Sequence, residues 1–559
     1  MKSYLKPYGA VPNSNQMEHF KIEKKAFFHF GINTFTNLEW GDGSEAERDF
    51  NPVGCDTRQW IKSIKKAGFK LAIITAKHHD GFCLWPSKHT EHSIKNSAYK
   101  DGEGDLIREF VDACHEFDIK VGIYVSPWDR NSPYWGTNDY SAYYAKQLEE
   151  LMTEYGRIDE VWWDGAGSRD TPYDWGMWAD IIRRNQPNAV IFGSMGATPY
   201  VDMRWVGNEG GFAGDPCYAI VSTETLTVEN TKLLNVGEPD GDLFRIAEVD
   251  TSIRPGWFFH EEQEDQVKSV PKLVHLWFDS VGSNANMLLN FPPDRTGHIR
   301  EKDLTNAIEA HRIIEKMRSY DYALTASAEA SVPCFDTHEA ENVITPSEDC
   351  YCALTEKTGE IALSWKSKIT FNAFEISEMI EYGHRIRGYR LEALVDGEYK
   401  TLFDGKCIGY KWADYFEPVT TDRVRLVIYD AKDIPLIRGI SLYSLDLSIF
   451  AEEERIKSRE NLAHGKSAKL IYNGKEVEIE LGGIFPFNTV TFNGMGMWGY
   501  DIFVFNGSSY EYVCGSKSPG RNEIVNLGKT FNTSYKLKFA ARTHGTLDPE
   551  MLNIGVYEM

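Results

Sequence analysis

KVGIYVSPWDRNSPYWGTNDYSAYYAKQLEELMTEYGRIDEVWWDG, residues Lys120–Gly165, holds the pattern that decides the fold. It opens on an apolar, β-rich run, KVGIYVSPWD, passes through a helical stretch from Ser141 to Tyr155, and closes on a second run, EVWWDG. Strand, helix, strand within so short a span is a βα unit of a parallel sheet. Outward from it, the same alternation extends from Ala26 to about Tyr320. Further strand candidates are FFHFGINTF from Phe27, KLAIITAKHHD from Lys70, AVIFGS from Ala189, MRWVGNE from Met203, AEVDTS from Ala247 and ANMLLNF from Ala285. Helical stretches run from Thr57 to Gly68, Asp105 to Glu116, Tyr173 to Asn185, Glu262 to Ser280 and Glu301 to Ser319. Eight strands with interleaved helices fit a (β/α)8 (TIM-like) barrel better than an open sheet. The connections from the fifth strand to the sixth and from the sixth to the seventh lack a clean helix, so the barrel is expected to be irregular there.

After Tyr320 the periodicity shortens to that of strands, in runs such as EIALSWK, ITFNAFEIS, YRLEALV and RVRLVIYD. The expected organisation is an α/β barrel over residues 1–320, a β-sandwich over 321–450, a charged, helix-like segment read as a solvated linker over 451–463, and a second β-rich domain over 464–559.

The chain has 559 residues, 60 of them Lys or Arg and 83 Asp or Glu, for a formal charge of −23. Such an acidic surface repels phosphate, which argues against nucleic acid and anionic membranes as partners. No apolar run is long enough to span a bilayer, so no membrane insertion is expected. The N-terminus shows no apolar signal segment, which points to a cytoplasmic location. Nine cysteines, an odd number without paired CxxC clusters, suit free thiols. Aromatic residues reach 13 %; they suit both β-rich domains and surfaces that stack on sugar rings.

In such a barrel, polar side chains at the C-terminal ends of the strands face the active site. Those ends carry His29 with Glu39-Trp40 beyond it, His78-His79-Asp80, Ser126-Pro127-Trp128-Asp129, Trp162-Trp163-Asp164, Asn208-Glu209, and Glu248 with Asp250. Indoles, imidazoles and carboxylates at one mouth fit a carbohydrate site, with two carboxyls available for bond cleavage. Plainer readings stand beside this one. Asp164 before Gly165 also reads as a turn residue. Glu39 also reads as an ordinary loop residue, and Asp129 beside Arg130 as half of a surface salt bridge. Successive strand residues point to opposite faces, so His78 and His79 share a metal ion only if the strand bends. His89 and His92 lie in a polar loop and are expected to be solvated.

The segments HFGINTF, AKHHDGFCLWPS, GIYVSPWDR, VWWDGAG, RWVGNEGG, EVDTSIRPGWFFH and LLNFPPDRTGHI, in this order, resemble the retaining α-L-fucosidases of glycoside hydrolase family 29. The resemblance covers about the first 320 residues. It implies Asp164 as nucleophile, and, from the subgroup acting on α-1,3- and α-1,4-linked fucose, Glu209 of WVGNE as acid/base. Fucose contacts carry over to His29, Glu39, Trp40, His78, His79, Tyr124 and Trp162. For Trp128, Asp129, Arg254 and Trp257 it implies a place near the site without a definite role. Trp40 and Trp257 are candidates for the apolar wall that the C5 methyl of fucose needs. The stretch from about Ser327 to Tyr443 resembles the discoidin-like, galactose-binding jelly rolls appended to glycosidases, and it reads equally as a module that packs structurally against the barrel. The resemblance therefore implies a hydrolase that removes terminal α-1,3/1,4-linked fucose from Lewis-type oligosaccharides, a fucosylated glycan being its partner, with no metal and no organic cofactor. Three alternatives stay open. They are a broad-specificity or α-1,2-acting fucosidase, a carbohydrate-binding barrel that has lost catalysis, and a metal-dependent hydrolase using His78 and His79.

Overall fold

The structure is a computed structural model that describes residues 5–559 apart from 169–170, 225–230, 346, 465–467, 495–496, 498, 517–518, 521, 544–546 and 548. Eight parallel strands close into a barrel: β1 Lys24–Phe28, β2 Leu71–Lys77, β3 Lys120–Val125, β4 Glu160–Trp162, β5 Val190–Gly193, β6 Met203–Trp205, β7 Ile246–Ser252 and β8 Ala285–Asn290. Each pairs with its neighbours in sequence order, and β8 closes on β1 through registers such as Ala26↔Leu289. β2 is buried at every position, as a strand between a packed barrel interior and a layer of helices must be. Gly122 in β3 keeps the interior from overfilling, since a Cβ there would lie 2.6 Å from Ile73 Cγ1.

A short helix, α1 (Ser14–Phe20), lies at the N-terminal end of the barrel, where Gln16 donates to the carbonyls of Asp202 and Phe244. The outer helices are α2 (Thr57–Lys66), α3 (Leu106–Glu116), α4 (Tyr140–Glu154), α5 (Trp175–Asn185), α6 (Val270–Asp279) and α7 (Glu301–Arg318). Three of them start by one device. The Asp56, Asp105 and Asp174 side chains accept from the backbone N–H three residues on, satisfying a donor the helix leaves open. α6 begins eight residues later than the sequence pattern suggests. Pro271 sits in its first turn, and proline belongs at a helix start rather than in its interior. The irregular sector falls where expected: a 3-10 turn, Met195–Tyr200, joins β5 to β6, and a two-stranded hairpin with a short helix joins β6 to β7.

The barrel interior holds a buried charge network. Lys25 Nζ donates to Glu160 at 2.6 Å and Glu248 at 2.5 Å, all three fully buried. Burial and the neighbouring Glu248 push the Glu160 carboxyl up to about 8. Glu248 in turn accepts the Trp162 indole N–H at 2.8 Å, which fixes that ring beneath the mouth.

The segment after α7 forms a seven-stranded antiparallel sheet with two 20-residue strands, Gly359–Glu378 and Trp412–Ala431. It shares one continuous apolar cluster with the barrel. Charge also ties the two together: Glu23, next to β1, meets Arg318 and Lys411, which outweigh burial and hold its carboxyl well below the usual range. The last β module packs a five-stranded sheet on a three-stranded one around a separate cluster that includes Ile479, Ile502, Phe539, Val490 and Val556. The charged stretch from Ala451 is largely exposed, with one buried position. It forms a helix, Ala451–Lys457, that buries Ile456 and sets Glu453 2.9 Å from His275 of α6. No described helix is long and apolar enough to cross a membrane.

Candidate active site

Asp164 follows β4 by two residues and is partly open to solvent, with 30 % of its side chain exposed. Its Oδ2 accepts from the Tyr124 hydroxyl at 3.1 Å and its Oδ1 from the Ala166 N–H at 2.8 Å. The phenol remains a donor, because burial and the Asp164 charge push its pKa well above 10. These two hydrogen bonds fix the orientation of the carboxyl group.

His79 Nε2 lies 3.8 Å from Asp164 Oδ2. On the other side of the ring, Nδ1 meets Ser126 Oγ at 2.7 Å, and that hydroxyl donates to the Trp128 carbonyl. With its proton so used, Ser126 accepts from His79 Nδ1–H, which leaves the Nε2 lone pair facing the mouth. Burial lowers the His79 pKa despite the nearby Asp164 charge, so the ring is a neutral hydroxyl acceptor rather than an ion-pair partner. His29 is fixed by the same logic. Asn290 donates to Ser252 and to the Trp257 carbonyl and turns its Oδ1 toward His29 Nδ1 at 3.0 Å. Burial brings His29 down to about 4. His78 lies between, its ring centroid 4.0 Å from that of His79 and 5.6 Å from that of His29, and burial with these two neighbours lowers it well below 6.5. The alternation expected to separate His78 from His79 ends too soon to act, because β2 stops at Lys77 and the chain turns, Gly81 N donating to the His78 carbonyl. Among the described residues no group of three or more His, Cys, Asp or Glu is placed to hold a metal ion.

The opposite wall is Trp257, 4.9 Å from His29 between ring centroids, whose Nε1 donates to Glu209 Oε2 at 3.1 Å. Glu39 holds this wall, accepting from the Trp257 and Phe258 backbone N–H groups and lying 2.6 Å from His260 Nε2. Trp40, 59 % exposed, stands edge-on to His79 and Trp128. Trp162 stacks on Phe192 at 4.0 Å as the floor, whereas Trp163 turns outward to pack on Trp175. Beside Glu209, Asp250 accepts the Trp205 indole N–H at 2.8 Å, and burial followed by the Glu209 charge raises its pKa well above 3.8.

Arg254 is fully buried in the loop that carries Trp257, where it clasps Asp303 at 2.8 and 2.9 Å and also engages Glu264 and the Gln263 carbonyl. Two sequence expectations are corrected. Asp129 is no surface partner of Arg130; at 1 % exposure it pairs with buried Lys77 at 2.9 Å. His92 is not solvated but 2 % exposed, 2.8 Å from Glu47. Sequence reasoning passed over Asn290, the last residue of β8 and open to the strand-end rule. It also passed over His260, which lies in an irregular loop with no local signal.

A family model described as alpha-L-fucosidase matches residues 10–309. Alpha-L-fucosidase 1 of Arabidopsis thaliana is 37 % identical over 459 residues, covering 79 % of this chain and 90 % of its own. Among solved structures, a candidate alpha-L-fucosidase from Bacteroides thetaiotaomicron is 43 % identical with a TM-score of 0.77, covering 79 % of this chain and 99 % of its own. A Ruminococcus gnavus fucosidase of glycoside hydrolase family 29, in complex with fucose, is 31 % identical with a TM-score of 0.74, covering 80 % of this chain and 98 % of its own. With a family model over more than half its length and a strand-end constellation of carboxylates, imidazoles and indoles, the chain belongs to the alpha-L-fucosidases of glycoside hydrolase family 29.

Proposed function

We propose that this fucosidase is exo-acting and retaining, with Asp164 as nucleophile and Glu209 as acid/base, and that it removes terminal α-1,3/1,4-linked L-fucose from Lewis-type glycans. One observation carries the reading: an unbroken run of contacts, Asp164–His79–His78–His29–Trp257–Glu209, joins the two carboxyl groups around one mouth. The ionised Asp164 attacks the anomeric carbon while Glu209 gives its proton to the departing glycosidic oxygen. The result is a fucosyl ester on Asp164 and a free aglycone alcohol. Glu209, now ionised, takes a proton from water, whose oxygen displaces Asp164 and releases fucose with its anomeric configuration kept. The neutral rings of His29 and His79 accept hydrogen bonds from sugar hydroxyls, His78, whose Nδ1 accepts from the Asn33 amide at 3.4 Å, offers its Nε2–H as a donor, and the indoles of Trp40 and Trp257 face the apolar side of the sugar. The fucose complex of the R. gnavus relative supports the choice of sugar, and the Trp-Val-Gly-Asn-Glu segment that carries Glu209 supports the linkage.

The test is release of free L-fucose from a Lewis-type trisaccharide and from an α-1,2-fucosylated lactose, by wild type and Asp164→Asn. The reading expects release from the first substrate alone, lost in the variant. Equal release from both substrates would replace the linkage with a broad-specificity fucosidase. An active Asp164→Asn would move the nucleophile elsewhere.

A further inference from the structure

The last β module stands at the same end of the barrel as Glu209. Gly210 approaches it so closely that a Cβ would lie 2.4 Å from the Pro519 carbonyl oxygen. Lys272 of α6 pairs with Glu523 at the start of the strand Glu523–Phe531. A cleft of about 320 Å³ runs between this module and the barrel loop that carries Pro255 and Gly256, next to Trp257 in sequence. Its barrel wall includes Glu39 and Gln263 from the loops after β1 and β7, and its far wall includes Tyr512, Ser516 and Arg542. Tyr512 lies on the edge strand of the five-stranded sheet and is 60 % exposed. An open phenol ring beside polar side chains is a stacking platform for a sugar.

The geometry points to a binding site for the aglycone: we propose that the last β module walls a subsite for a neutral hexose or N-acetylhexosamine of the glycan from which fucose is cut, with Tyr512 as its platform. This rests on the reading of Glu209 as the acid. The proton goes to the leaving oxygen, so the departing sugar lies on the Glu209 side, and there the module abuts Gly210. The charges select a neutral sugar. Arg542 is already held in a bidentate pair by Asp501 at 2.7 and 3.1 Å. Glu39 and Glu262 also face the cleft, and they repel a carboxylate or sulfate. The Bacteroides thetaiotaomicron structure matches 99 % of its own length yet only 79 % of this chain, so a fifth of this chain is available for a specificity that relative does not share.

The test compares kcat/KM on a neutral Lewis-type pentasaccharide with that on an aryl α-L-fucoside, whose aglycone has no sugar to reach the cleft. Loss of a stacked ring lowers the pentasaccharide-to-aryl ratio about tenfold in Tyr512→Ala, and Tyr512→Phe, which keeps the ring, restores it to within about twofold. An unchanged ratio in Tyr512→Ala overturns the proposal, whether both substrates hold their rates or both fall together. A sialylated pentasaccharide cleaved as fast as the neutral one overturns the choice of a neutral sugar. A wild type inactive on both neutral substrates would instead strike at the hydrolytic reading itself, an outcome distinct from an active enzyme with an unmoved ratio.

Discussion

Asp164 shows how a single side chain is prepared by its neighbours: a phenol that stays protonated, a backbone N–H, and an imidazole kept neutral by burial. The partner carboxyl is tested through its leaving group. Glu209→Gln should lower kcat/KM on an oligosaccharide about 10²–10⁴-fold and much less on an aryl fucoside, whose leaving oxygen needs little proton donation. Equal losses on both would remove Glu209 from the acid role. A second prediction concerns His29, which burial holds near 4 while the unfolded chain titrates near 6.5. Between those values the unfolded state binds a proton that the folded state refuses. The stability that the neutral ring contributes is therefore complete above about 6.5 and is lost as pH falls toward 4. Replacing His29 with Asn should flatten the slope of unfolding free energy against pH in that window, by up to about 1.4 kcal/mol per pH unit. Denaturant titrations at several pH values measure it, and identical slopes would contradict the account. At this scale the sequence was legible where a residue ends a strand, as at Asp164 and His29. It was silent where partners are remote, because nothing beside Asp129 announces Lys77 and nothing beside Glu39 announces His260.

The loop after β7 is the element on which the site depends. It carries Trp257 at the mouth, and is pinned outside by Arg254 on Asp303 and inside by Glu39 on the Trp257 and Phe258 backbone. Removing Asp303 leaves the buried Arg254 with only the half-exposed Glu264 and a backbone carbonyl, so Asp303→Ala should cost about 3 kcal/mol, read by urea unfolding. A loss below about 1 kcal/mol would show that Arg254 does not anchor the loop. Elements were easier to read than loops. β2 is an apolar run buried on both faces, and three of the outer helices carry their Asp caps in sequence. The boundary of α6 was missed because Glu262–Val267 is polar and helix-like in composition, while Pro271 sets the actual start. The helical character of Ala451–Lys457 was legible, but its charges conceal the one buried position, Ile456.

Across the whole molecule, packing divides the chain differently from its sheets. The barrel and the seven-stranded module share one apolar cluster, whereas the last sandwich encloses its own. Cooperative units follow shared cores. Calorimetry should resolve two unfolding transitions, one for the barrel with its adjoining module and one for the last sandwich. Three separate transitions would contradict the shared core. The β class of the C-terminal half was evident from its alternating runs, and packing of the stretch from Ser327 against the barrel was among its readings. The contacts that join them were not legible, because Glu23 meets Lys411 and Arg318 across hundreds of residues.

The central claim, that Asp164 takes the sugar covalently, is tested most directly by trapping. A 2-deoxy-2-fluoro-fucosyl donor with a good leaving group slows breakdown of the ester more than its formation, so the intermediate accumulates. Peptide mass spectrometry of the inactivated protein should find one fluorofucosyl group on the peptide bearing Asp164. An adduct on another carboxylate, or turnover of the donor with no adduct at all, would contradict the account.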